Sequence, residues 1–295
     1  MSDGGRKRIF VMGGGAALGA HQAGALQYLD EQGIKPDVLI GSSIGVVNSC
    51  VYASVGAQGV VQAWKEFRAF PRMFYPTLRN NPFTGLALSS IERLASGIEE
   101  FIDFPGLMDS SIDLEFILLN LSTGRGEMWS KRHCRDWREL RTLSRAGYSI
   151  PPLFPPVEFQ GQQFVDGGLA WNVPLGYAIE LEATEIYVLA PVSSTLPYLP
   201  PVAGRVAYLR RLADVLFRTI GNVGRIHASL DDGLFHGVPV TVIEPGEEFS
   251  GAGLRLLFHS SPEKAERLLA AGYRDAKRAV NRPAVEEPVG RLHAV

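Results

Sequence analysis

The sequence predicts an α/β fold on parallel strands, and three observations predict it. Residues 8–12 contain a short buried-strand pattern, followed by Gly13-Gly14-Gly15 and a stretch with helical patterning. A second run, Asp37 to Ile40, leads straight into Gly41-Ser42-Ser43-Ile44-Gly45 and another helix-compatible run. Strand, helix, strand, helix is a βαβα unit, which implies parallel strands and a right-handed crossover. Later apolar runs at 112–121, 185–189 and 238–243 supply further strands.

Composition bounds the function. The chain has 295 residues, 46% hydrophobic and 20% charged, the profile of a globular protein with a sizeable core. A net charge of -2 creates no general attraction to nucleic acid or to an anionic membrane, and no nucleic-acid partner is expected. No window approaches the ~20 apolar residues of a membrane span. The basic start, Gly5 to Arg8, is followed only by Ile9 to Met12. An export signal needs an apolar core of roughly 7–15 residues. Cys50 and Cys134 offer neither a disulfide framework nor metal-ligand spacing and read as inert thiols. A cytoplasmic protein without metal or cofactor is the expectation, with peripheral membrane contact left open.

The elements follow in order. Helical patterning runs from Ala20 to Gln32, with Ala23, Leu26, Tyr28 and Leu29 for burial and Gly33 as the stop. After the helix that follows Gly45, residues 64–110 are rich in aromatics and prolines; they read either as an insertion of short helices and loops covering a pocket or as core on irregular supports. Ile112 to Leu121 is a strand, Gly124-Arg125-Gly126 a turn, and Glu127 to Trp129 the returning strand. Val157-Glu158-Phe159 and Gln163-Phe164-Val165 flank Gln160-Gly161-Gln162 as a hairpin that delivers Asp166-Gly167-Gly168. Asn172-Val173-Pro174 opens a helix to Leu181, and strand 185–189 follows. Arg205 to Arg225 reads as one basic amphipathic helix. Docking by its apolar side, Val206, Leu209, Ala213, Leu216 and Ile220, is favoured over rest on an anionic membrane. Strand 238–243 and helix 262–280 complete the chain, read as one domain over 1–282 with a motif-bearing core at 8–190 and a mobile tail at 283–295.

Two motifs carry chemistry. Gly41-Ser42-Ser43-Ile44-Gly45 between strand and helix is the grammar of a nucleophile elbow, where a strained turn lifts the Ser43 hydroxyl over the sheet edge. Gly41 and Gly45 are required there because a β-carbon would strike the neighbouring strand or helix. Gly13-Gly14-Gly15 does not fit a dinucleotide loop, because that spacing wants glycine where Leu18 stands and an acidic residue further on. The alternatives are an oxyanion hole, in which successive backbone N–H groups and a helix dipole hold a negative oxygen, and a simple tight turn. The oxyanion reading is favoured because it also explains the neighbouring elbow.

Three separated pieces together resemble the patatin-like phospholipases. They are Gly13-Gly14-Gly15 through Gly19 and Gly24-Ala25-Leu26; Gly41-Ser42-Ser43-Ile44-Gly45; and Phe154-Pro155-Pro156 through Asp166-Gly167-Gly168 and Asn172-Val173-Pro174. The resemblance covers about residues 9–56 and 114–190 and implies a three-layer α/β/α sandwich with a mostly parallel central sheet. It implies a metal-free lipid acyl hydrolase, Ser43 as nucleophile, Asp166 as its catalytic partner, and Gly13, Gly14 and Gly15 in the oxyanion hole. The substrate would be a lipid or acyl ester. Leu18 departs from the pattern, since the family often carries arginine there to hold the loop or the developing charge.

Rivals remain at this level. A Ser–His–Asp hydrolase would draw its histidine from His227, His236 or His259, all downstream of the aspartate. An acyltransferase or thioesterase would share the first half-reaction, and a lipid-binding protein without catalysis is the third alternative. Head group, chain length and oligomeric state are not encoded legibly.

Overall fold

The computed structural model describes residues 5–66, 91–194, 201–220, 223–246 and 261–281. Among these, nine strands join in one mixed sheet. At its centre β1 (Arg8–Met12) lies between β2 (Val38–Gly41) and β7 (Glu185–Leu189). β3 (Asp113–Asn120) extends this set beyond β2, and β9 (Val238–Ile243) beyond β7, all parallel. The margins are antiparallel: β4 (Arg125–Ser130) and β6 (Gln162–Asp166) on β3, β5 (Val157–Phe159) on β6, and β8 (Leu234–Phe235) on β9.

Alternation along β1 decides the layers. Phe10 and Met12 enter a core shared with α1 (Gly19–Glu31), α2 (Ile44–Glu66) and α5 (Trp137–Gly147). Ile9 and Val11 enter a second core with Leu175 and Ala178 of α6 (Leu175–Glu180) and Ile226 of α8 (Val223–Ser229). A strand buried on both faces reads as a continuous apolar run, which is why period-2 alternation is invisible at 8–12. The result is the three-layer sandwich.

Register places the two catalytic candidates. β4 occupies one edge of β3 along Glu115 to Asn120. Both β2 and β6 must therefore share the other edge. β2 comes up parallel and ends with Gly41 opposite Phe116; β6 comes down antiparallel and ends with Asp166 opposite Leu118. The two strand ends thus meet head-on, two β3 residues apart, roughly 7 Å along the strand. The hairpin that turns β5 into β6 uses left-handed φ values of 50° at Gln160 and 76° at Gly161, as the right-handed twist of a two-residue turn demands.

The helical layer behind the site is closely covered. α1 is buried nearly along its length, between the sheet side and α9 (Pro262–Val280), so its one-sided sequence pattern understates its burial. His21 on α1 and Asp275 on α9 form a buried Nε2–Oδ2 contact of 3.0 Å. α3 (Ile91–Glu99) and α4 (Phe104–Asp109) are short helices within 64–110, where the sequence gives no bounds, and α5 escaped the sequence reading. α5 is signalled only by Asp136, whose carboxylate accepts from the Arg138 and Glu139 N–H groups as an N-cap.

Three expectations change. The helix read over 205–225 is α7 (Arg205–Ile220), with α8 beginning anew at Val223. Of its apolar side, two described members stand out from the protein: Val206 is 74% and Leu209 62% exposed. α2 is long and apolar enough to cross a membrane by length and composition, against the reading that no window approaches this, but it is mostly buried in the core. His259, residues 67–90 of the aromatic stretch and the tail from 282 lie outside the described residues.

Candidate active site

Ser43 stands between β2 and α2 with φ 54°, a left-handed conformation that costs a non-glycine residue about 1 kcal/mol or more. The strain is held from both sides. Ser42 N–H donates to Met12 O (3.0 Å), continuing the β1 ladder, while Gly45 and Val46 N–H already donate to Ser42 O and Ser43 O as the helix starts. A β-carbon on Gly45 would come within 2.0 Å of Met12 O, and one on Gly41 within 2.8 Å of the Val46 backbone. Neither position accepts a side chain.

Asp166 ends β6 and is buried. Its Oδ1 accepts from the Gly168 N–H at 2.9 Å, whereas buried Oδ2 completes no hydrogen bond. Burial pushes the carboxyl pKa up to about 6, although the adjacent Ser43 side chain and the Gly168 N–H both favour the charged form. The structure therefore brings Ser43 beside Asp166, with one carboxylate oxygen uncommitted.

The glycine loop lies against the nucleophile: a β-carbon on Gly14 would sit 2.8 Å from Ser43 Cβ. Its N–H groups have different fates. Gly13 N–H donates to Leu189 O of β7 (3.1 Å), and Gly14 N–H donates to Asn172 Oδ1 (2.7 Å). Gly15 N–H has no partner among the described residues, and Gly15 lies at the N-terminal side of the turn that enters α1.

Sequence reasoning assigned no role to the amides that hold this loop. Buried Asn172 clamps the Gly14 peptide from both ends, accepting from its N–H and donating from Nδ2 to its carbonyl (3.3 Å); the Ser42 hydroxyl donates to the same Oδ1 (3.1 Å). Gln22 Nε2 donates to Gly13 O and Leu189 O, and Asn48 Nδ2 donates to Gln22 Oε1, while Trp64 Nε1 donates to Asn48 Oδ1. The available signal was polar amides inside otherwise apolar helices, which must find partners when buried. Leu18, where arginine is frequent in the resembled family, is buried in the core. Amides from α1 and the segment after β6 fix the loop instead.

Beside the elbow, Ile44, Val47, Val51, Trp64, Ile98 and Phe101 line an apolar pocket. The described part of 64–110 thus contributes to it. Among the described residues no histidine hydrogen-bonds to Ser43 or Asp166. His227 contacts Glu244 (2.9 Å), His21 contacts Asp275, His133 accepts from Ser130 N–H, and His236 packs on Phe235. Cys50 and Cys134 are both buried, and burial raises both thiol pKa values, that of Cys134 to about 12, so neither is a reactive nucleophile.

The model of the patatin-like phospholipase family matches residues 10–179. The lysophospholipase nte1 of Aspergillus terreus is 28% identical over 191 residues, covering 63% of this chain and 12% of that protein. The patatin-like phospholipase domain-containing protein ZK370.4 of Caenorhabditis elegans is 30% identical over 172 residues, covering 56% and 12% respectively. The chain thus spans about one eighth of the length of these curated relatives. Among solved structures, VipD from Legionella pneumophila superposes with a TM-score of 0.58 at 13% identity, over 94% of this chain and 67% of that one.

Proposed function

The chain belongs to the patatin-like phospholipase family, and from that membership we propose that it is a serine acyl hydrolase cleaving lipid esters through an acyl-enzyme on Ser43. The observation that carries the reading is the pairing of a strained Ser43, at the start of α2, with a buried Asp166 whose second oxygen is uncommitted.

In the first half-reaction Ser43 Oγ attacks the ester carbonyl carbon, forming the O–C bond while its proton passes to Asp166 Oδ2. The carbonyl oxygen becomes an oxyanion facing the glycine loop. Gly15 N–H is positioned to donate to it, and Gly14 N–H joins when the Asn172 carbonyl yields its place; Gly13 anchors the loop to β7. Collapse expels the alkoxide, which takes the proton from Asp166. Water then attacks the acyl-enzyme, giving a proton to Asp166, and the acid product leaves as Ser43 recovers its hydrogen. The pocket lined by Ile44, Trp64 and Phe101 receives the acyl chain.

His227 and His236, two of the three histidines a triad could draw on, are engaged elsewhere, with Glu244 and Phe235, which supports a two-residue mechanism over a triad built on either. A raised carboxylate pKa also supports Asp166 as base, because a free aspartate near 3.9 is too weak. An acceptor alcohol or thiol in place of water would make the same site a transferase, and product analysis with added alcohol separates the two.

The base must be ionised to act. With its pKa near 6, kcat/KM should be flat above pH 7 and fall about tenfold per unit once pH drops well below 6. A limb at the pH of an ordinary exposed aspartate, near 4, would show that Asp166 is not the base. Asn172→Ala should lower kcat by roughly 10–100-fold with little change in KM, because the Gly14 peptide loses its clamp. Steady-state kinetics on a short-chain ester would decide it; an unchanged kcat would remove Asn172 from the account.

A further inference from the structure

We propose that α7 is an interfacial helix that lays the protein on an anionic phospholipid surface with the catalytic edge toward the lipid. Its biological sense rests on the lipid-hydrolase reading above; its geometry does not.

The first support is what α7 leaves uncovered. Val206, Leu209, Leu212 and Val215, spaced three apart, are 74%, 62%, 39% and 47% exposed, and Tyr208 is 57% exposed. On a helical wheel these five occupy one half. Arg205 shares that half, and Arg211 falls in the other. Apolar exposure of this kind, with cations among and beside it, is the pattern of a helix lying in a lipid interface rather than against protein.

The second support is charge. α7 holds four arginines, 205, 210, 211 and 218, against the single Asp214, and Arg225 follows on α8, in a chain whose net charge is -2. A protein-protein contact core is depleted in charge, and a second copy meeting this face would bring arginines toward arginines. An anionic surface attracts them instead, at about fivefold in affinity per cation near the surface.

The third support is placement. α7 lies in the crossover from β7 to β9, and β7 is parallel to β1. The crossover therefore leaves the sheet at the edge where the glycine loop leaves β1. Pro191, at its start, closes on that loop: a β-carbon on Gly15 would be 2.5 Å from Pro191 Cγ. Just beyond Asp166, Leu169 and Trp171 are also 45% and 51% exposed. An apolar side chain and an indole beside the catalytic aspartate suit a lipid–water boundary, where tryptophan is enriched.

Sedimentation of the full chain with phosphatidylcholine vesicles, with and without phosphatidylglycerol, tests this. Binding should require phosphatidylglycerol and weaken with salt. Val206→Asp with Leu209→Asp should cut vesicle binding at least about tenfold, and Arg205→Glu with Arg210→Glu comparably. Both double variants should hydrolyse a soluble short-chain ester like the wild type, which shows that they are folded, while vesicle hydrolysis falls with binding. Ser43→Ala should bind vesicles as the wild type does. Wild type that stays in the supernatant, or variants that sediment unchanged, would overturn the proposal. So would a dimeric wild type that the apolar variants convert to monomer, since the face would then belong to a second copy. Vesicle binding lost in the variants, with no ester hydrolysed even by the wild type, would uphold the interfacial helix and sink the hydrolase reading alone.

Discussion

Ser43→Ala should lose at least about 10,000-fold in turnover of any ester the wild type accepts, and should no longer be labelled by a fluorophosphonate. The size follows from what remains. Without the hydroxyl no acyl-enzyme forms, and only binding and the backbone donors can assist water. The structure adds a companion test that separates chemistry from strain. Serine and alanine meet a similar cost at φ 54°, so Ser43→Ala keeps the strain and loses only the hydroxyl's support of the Asp166 carboxylate. Ser43→Gly relieves the left-handed conformation and should gain a few tenths to about 1 kcal/mol over Ser43→Ala in denaturant unfolding while being equally inactive. That difference between two inactive variants would show that the elbow holds its serine against local preference for a functional reason. Full turnover by Ser43→Ala would end the argument.

The sequence made the central βαβα unit and the elbow legible because both depend on local rules. A buried parallel strand is a run of apolar residues, and a turn without room for a β-carbon is a glycine. Strands 185–189 and 238–243 and helix 262–280 were readable for the same reason. What stayed hidden was relational. Nothing local to Gln160-Gly161 or Asp166 says that β6 will take the edge of β3 that β2 vacates, yet that shared edge is what brings Asp166 to Ser43. Asn172, Gln22 and Asn48 were hidden likewise: an amide's role depends on which carbonyl or N–H lies opposite it, and their partners are up to 167 residues away in sequence.

The amphipathic helix shows a different failure. Its pattern was read correctly, but pattern alone does not say what an apolar face meets. Docking against the protein is the common outcome, and Val206 and Leu209 depart from it. The bounds of α3, and α5 altogether, were missed for a third reason. Their link is tertiary: Glu99 at the end of α3 accepts from Arg141 and Arg145 of α5, a contact that pulls the Glu99 pKa down despite partial burial and that no sequence window contains.

Asp166→Asn should be inactive by about 1,000-fold or more and, at neutral pH, more stable than the wild type. The two effects share one cause. Desolvation raises the folded-state pKa to about 6 from the ordinary 3.8, so ionising this carboxylate in the folded protein costs roughly 2–3 kcal/mol. Between those values the folded state holds the proton more tightly than the unfolded chain does. Stability from this group is therefore greatest below pH 3.8, declines as pH rises toward 6, and stays at its lower level above. An amide carries no such charge. Its Oδ1 can keep the Gly168 N–H, and its new N–H2 faces the Ser43 oxygen, which can accept. Urea unfolding should show Asp166→Asn ahead at pH 7 by about 2 kcal/mol, with the gap closing toward pH 4. A gap independent of pH would mean that Asp166 is not paying for a buried charge. Retained activity in Asp166→Asn, with loss in His227→Ala or His259→Ala, would replace the two-residue mechanism with a triad. The cost of keeping an ionised carboxylate in an apolar place is, on this reading, what makes it basic enough to take a proton from serine.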